Sequence, residues 1–175
     1  MQTLLVQSKD FVQTKVGKLV IVLSLSILSI VGRIYMAEIP NVQPSTAIII
    51  IASLTMGMRA GIMVAFATAI GSNMALGHGT WTILQFLSWG TVAIIAGMIR
   101  PIYRALSYGV LIGFAALMGY VYGFVISTPV MATGFPAFAL YYKMGLLFDT
   151  FHAVGNAIIF AAIAKPLFHV IEPQK

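Results

Sequence analysis

Asp149, His152 and Asn156 stand at i, i+3 and i+7 within an apolar run, a spacing that sets a carboxyl, an imidazole and an amide on one helical face. Trp81, Gln85 and Trp89 repeat the pattern at i, i+4 and i+8. Just before them, Leu76-Gly77-His78-Gly79-Thr80 makes a tight turn, with Ser72 and Asn73 on its near side. Asn41 and Gln43 flank Val42 in a proline-bounded connection, and Phe138, Tyr141 and Tyr142 crowd a later one. The chemistry these groups offer is hydrogen bonding to a small molecule, because amides and aromatic rings dominate the set. An unsatisfied polar group in hydrocarbon costs several kcal/mol, so amides at that depth must meet each other or a ligand.

Each candidate also has a plainer role. Asp149 and His152 either line a pocket or satisfy each other or a buried partner such as Arg33 or Lys143, and the two roles are compatible. Trp81 suits the membrane interface. Asn41 suits a turn, and His78 between two glycines suits an exposed one. Tyr141, Tyr142 and Phe138 read as interface aromatics or as a lid. Catalysis finds less support. There is no phosphate-binding G-x-x-x-x-G-K-[ST], no H-E-x-x-H and no G-x-S-x-G. One Asp and one His on a single face name no reaction, so the chain is expected not to be an enzyme. No ligand spacing argues for a metal, and the absence of cysteine excludes thiolate sites.

The elements that must hold these groups are membrane helices. Charged residues make up 8% of the 175 residues, against about a quarter in soluble domains, and mean hydropathy is +0.99. At about 20 residues per span, the length accommodates an all-α integral membrane protein, a single bundle of six transmembrane helices. The spans are expected at about 18–35, 45–58, 62–76, 81–99, 105–126 and 143–164, with Ser45 as the N-cap of the second. The first is read as a span, because no small-x-small cleavage site follows Arg33. Residues 1–17 read as an interfacial amphipathic segment or an unstructured tail, and residues 127–142 as the longest connection. Gly109/Gly113, Gly119/Gly123 and Ala153/Ala157/Ala161 have the spacing that lets helix backbones approach.

Charge sets the orientation. Lys9, Lys15, Lys18, Arg59, Arg100, Arg104, Lys165 and Lys175 fall on one side of such a bundle, and of the ten Lys and Arg only Arg33 and Lys143 fall on the other. Both termini are therefore expected in the cytoplasm. Connections 36–44, 76–80 and 127–142 then face outward together. The formal charge of +6 is scattered over span ends, with no basic stripe for nucleic acid.

The outer N-V-Q-P segment (Asn41 to Pro44), the S-N-x-x-L-G-x-G-x-W-T-x-x-Q run (Ser72 to Gln85) and the D-x-x-H-x-x-G-N run (Asp149 to Asn156) give the chain a likeness to a known family. In that order, and over nearly the whole length, it resembles the substrate-binding S component of energy-coupling factor transporters. The resemblance implies a vitamin-capturing protein of the bacterial cell membrane with an outward-facing cavity. Its partners would be the lipid bilayer, a transmembrane coupling subunit and two cytoplasmic ATPases. It would hold no cofactor of its own, since ATP is hydrolysed by the partners. The cavity would be roofed by the first and fifth connections and walled by the fourth and sixth spans, which singles out Asn41, Gln43, Asn73, His78, Trp81, Gln85, Tyr141, Asp149, His152 and Asn156. Docking on the coupling subunit would use the first span. There the family's A-x-x-x-A surface is replaced by Ser26, Ser29 and Gly32. The chain looks most like members associated with cobalamin, with hydroxymethylpyrimidine or riboflavin as alternatives; lack of an arginine pair speaks against folate. Outside the family, a stand-alone secondary carrier or channel is the competing class.

Overall fold

The computed structural model of the chain describes residue 12 and residues 14–172. The expected interfacial segment lies largely outside the described residues. Helix α1 (Lys15–Tyr35) opens on Thr14, whose hydroxyl accepts from the Gly17 amide at 2.9 Å. Then follow α2 (Ser45–Met56), α3 (Met58–Leu76), α4 (Thr80–Ile99), a 3-10 turn (Tyr103–Ala105) and α5 (Tyr108–Ser127). A second 3-10 turn (Thr128–Thr133) leads into α6 (Phe135–Ile171). The described residues contain no strand.

Five helices are long and apolar enough to cross a membrane, and α2 is a shorter apolar one. The protein is a multi-pass membrane protein. Its α1 presents Leu19, Leu23, Ile27 and Val31 outward, and α6 presents Leu147, Val154 and Ile158. Such faces suit acyl chains.

Helix α2 differs from its neighbours. Ala47 through Ala52 and Leu54 are fully buried on all sides, as in a helix wrapped by the rest of the bundle. Its 12 residues span roughly 18 Å, well short of a hydrocarbon core of about 30 Å. The 36–44 connection therefore descends onto its N-terminus. Pro44, not Ser45, occupies the N-cap; Ser45 is the first helical residue, and its buried hydroxyl has no partner among the described residues. At the other end, Arg100 Nε and Nη2 donate to the Thr55 carbonyl at 3.3 and 3.1 Å, neutralising the negative pole of α2.

The expected connection at 127–142 is mostly helical. Pro129 and Pro136 fall in the first turns of the second 3-10 segment and of α6, where a missing amide hydrogen breaks nothing. Gly134, at φ 107°, supplies the bend between them. Helix α6 also runs past the expected end at 164 and through Pro166.

Helices α5 and α6 approach closely over two of the small residues. A Cβ on Gly119 would lie 2.7 Å from the Ala153 Cα, and one on Gly123 would overlap the Asp149 carboxylate. Gly109 and Gly113 face open space, and Ala161 is exposed, so those spacings serve no helix contact here.

Candidate functional site

The chain reverses at each helix, so the C-terminal end of α1, the N-terminal end of α2, the α3–α4 turn and the upper half of α6 meet in one layer. Arg33 lies at its centre. Two residues before the end of α1 it would be free to reach outward, yet it turns inward. Its Nε donates to Gln43 Oε1 at 2.9 Å, and its Nη1 to Asn73 Oδ1 at 2.7 Å and to Ser72 Oγ. The guanidinium lies over the Trp89 ring at 5.4 Å.

Asn73 extends the network. Its Nδ2 donates to Gln85 Oε1 at 2.7 Å and Thr82 Oγ1 at 2.9 Å, so one buried amide ties α1 to both α3 and α4. A second chain of bonds starts from the Trp89 indole, which donates to Thr46 Oγ1 at 3.0 Å. Thr46 meets His152 Nε2 at 2.9 Å, and His152 Nδ1 meets the Asn41 carbonyl at 3.0 Å. A carbonyl only accepts, so Nδ1 carries the hydrogen and Nε2 accepts from Thr46. Asn41, at φ 56°, also donates through Nδ2 to the Phe148 carbonyl at 2.8 Å. The 36–44 connection is thus pinned to α6 at two points.

Ring stacking joins the two networks. Tyr122 of α5 lies 5.3 Å from Trp89 and stacks on His152 at 5.0 Å and 25°. Arg33, Trp89, Tyr122 and His152 form a continuous run of contacts through the layer, stacked only between Tyr122 and His152.

Of the candidates read from sequence, Asn41, Gln43, Asn73, Gln85 and His152 belong to this assembly. Asn156 lies on the same buried face of α6, 1% exposed, with neither side-chain atom hydrogen-bonded. Asp149 is buried against Gly123 and forms no hydrogen bond or ion pair among the described residues. Of the alternatives for Asp149 and His152, mutual pairing is not made, because His152 spends both nitrogens on Thr46 and Asn41. His78 is exposed and reaches only Thr82, at 3.4 Å, on the rim.

Two aromatic candidates lie elsewhere. Trp81 is 48% exposed and its indole folds back on the Gly77 carbonyl at 3.3 Å. Tyr141 is 55% exposed on the outer side of α6, while Tyr142 takes the inner side and stacks on Phe138. The docking residues also need correction. Ser26 is 4% and Ser29 0% exposed; Ser26 bonds the Val22 carbonyl, and Ser29 accepts from Thr68 of α3 at 2.9 Å. A Cβ on Gly32 would overlap Pro44. Ser26 and Ser29 are thus covered by the chain itself, and half-buried Gly32 packs on Pro44.

Sequence reasoning missed Arg33, Thr46, Trp89 and Tyr122 as site residues. A cation near a helix end reads as an ordinary interfacial flank. Trp89 at i+8 from Trp81 carried a usable signal, since a tryptophan that deep in a span has left the interface.

A cleft of about 960 Å³ opens at the opposite end of the bundle, lined by Lys18, Arg100, Arg104, Lys165 and Glu172 among others. Arg104 pairs with Glu172 at 2.5 Å on the exposed rim, a contact of little stabilising value. Burial, seconded by Glu172 against the opposing Arg104, holds the Tyr103 phenol above its ordinary range. These cations mark the ends of helices that meet water. The layer around Arg33, with its oriented and partly unpaired donors and acceptors, is the candidate binding site. Among the described residues, no cluster of three metal-ligating side chains occurs.

Comparison with protein-family models, with curated proteins and with solved structures finds no match to this chain.

Proposed function

We propose that this chain is the substrate-binding S component of an energy-coupling factor transporter, capturing a vitamin at the outer face of a bacterial cytoplasmic membrane. Counting α2, it crosses six times with both termini in the cytoplasm, in accord with the eight cations on that side. Captured substrate passes inward only with a transmembrane coupling subunit and two ATPases. Since Ser26 and Ser29 of α1 are covered, its apolar side (Leu19, Leu23, Ile27) is what remains for the coupling subunit. Cobalamin is the first candidate ligand, followed by hydroxymethylpyrimidine and riboflavin.

One observation carries this reading: a polar layer around Arg33 in which Asn156, Asp149 and Ser45 are buried without hydrogen-bond partners among the described residues. Unpaired polar groups at such depth persist when a ligand completes them. The test is to purify the full chain in mild detergent and identify retained small molecules by mass spectrometry. A vitamin at about one per chain is expected. Gradient-driven uptake by vesicles holding this chain alone would instead make it a secondary carrier, with Asp149 as the coupling acid.

A further inference from the structure

We propose that Arg33 is an anion receptor: its guanidinium, lying on the Trp89 indole, binds a single carboxylate or phosphate group of the captured molecule. This rests on the capture role above and specifies the charge class of its ligand.

All of the acceptors that hold Arg33 are neutral. Gln43, Ser72 and Asn73 take its Nε and Nη1 hydrogens, and no carboxylate among the described residues lies within ion-pair distance. The Nη2 hydrogens meet no protein acceptor among the described residues. A cation that only complements a helix C-terminus would extend toward water. Arg33 is instead fixed inward by three side chains and an indole, and leaves its Nη2 amino group for a further acceptor.

The Nη2 hydrogens can donate charge-assisted bonds to an oxygen of a carboxylate or phosphate, and a locked rotamer lowers the entropic cost of binding one. The carboxylate within the bundle, Asp149, does not fill that role. It sits on α6 against the Gly123 backbone and forms no ion pair with Arg33. With one guanidinium in the layer, the site suits one anionic group rather than several. That group belongs either to a soluble molecule or to a lipid headgroup, and the two sources are separable by experiment.

The chain has two tryptophans, and Trp89 is the one beneath Arg33. With Trp81→Phe as background, the full chain in phosphatidylcholine nanodiscs reports on Trp89 alone. Inorganic phosphate or acetate should change its emission saturably, with affinity lowered about tenfold by Arg33→Lys and the response lost in Arg33→Gln. If lipid headgroups are the source, phosphatidylglycerol in the discs should compete with phosphate; if not, it should have no effect. Asn73→Asp serves if Arg33→Gln fails to fold, because a carboxylate supplied to Arg33 from within must abolish the phosphate response. No saturable response in either lipid, or a response that survives Arg33→Gln or Asn73→Asp, overturns the proposal. A neutral molecule retained at one per chain would remove the anion site and leave capture standing. A phosphate response on Arg33 in a chain that accumulates solute unaided would do the reverse.

Discussion

Replacing Asn73 by alanine tests whether the polar layer acts as one unit. Asn73 makes three hydrogen bonds, from Arg33 Nη1 at 2.7 Å and to Thr82 and Gln85 at 2.9 and 2.7 Å. At about 1 kcal/mol for each neutral bond and about 2 for the one involving a charge, truncation removes roughly 4 kcal/mol. Alanine returns about 0.5 kcal/mol through its better helix propensity, which leaves a net loss of about 3.5 kcal/mol. For a chain of this size that corresponds to a fall in Tm of roughly 7–14 °C. Thermal unfolding of the purified protein, followed by tryptophan emission, measures it. The cycle with Gln85→Ala adds a sharper criterion. If Asn73 holds Gln85, the two losses should fall short of additivity by about 1 kcal/mol. A fall under about 2 °C, or strict additivity, would refute the idea of a coupled network.

Other perturbations have distinct signatures. Asn156→Leu, which replaces an unpaired buried amide by a side chain of similar size, should raise Tm by a few degrees while weakening vitamin binding at least tenfold, as read by thermal shift and equilibrium dialysis. Gln85→Ala should weaken the same binding with the fold intact. Gly123→Val forces a side chain onto Asp149 and should destabilise the α5–α6 pair by about 1–3 kcal/mol; Gly113→Ala, which meets open space, should be silent. His152→Ala frees the Asn41 carbonyl, so amide exchange across residues 36–44 should quicken about tenfold or more, while that of α4 stays unchanged.

Hydrophobic runs separated by Gly, Pro and cations located the helices, because membrane helices need long apolar segments and little else does. The same logic could not tell α2 from a lipid-facing span. Its Ile48-Ile49-Ile50-Ile51 run has the same composition in either place, and only neighbours wrapping it from every side reveal the difference. Proline misled at residues 127–142, since Pro129 and Pro136 sit in first turns where they initiate rather than interrupt. Amides were readable as site residues because hydrocarbon tolerates so few of them. The direction in which a residue points was not readable. Trp81 and Tyr141 face outward, Ser26 and Ser29 face inward, and Arg33 turns into the bundle to meet amides and an indole rather than Asp149. Such choices depend on which helices pack on which faces, and spacing along one helix does not contain that.

The account stands or falls on whether this polypeptide holds its ligand without moving it. Proteoliposomes containing the full chain alone, loaded with labelled cobalamin and then with each alternative vitamin, should retain one molecule per outward-facing chain and accumulate none in the lumen under any ion gradient. Accumulation driven by a gradient, or no retention of any of the three, would contradict it.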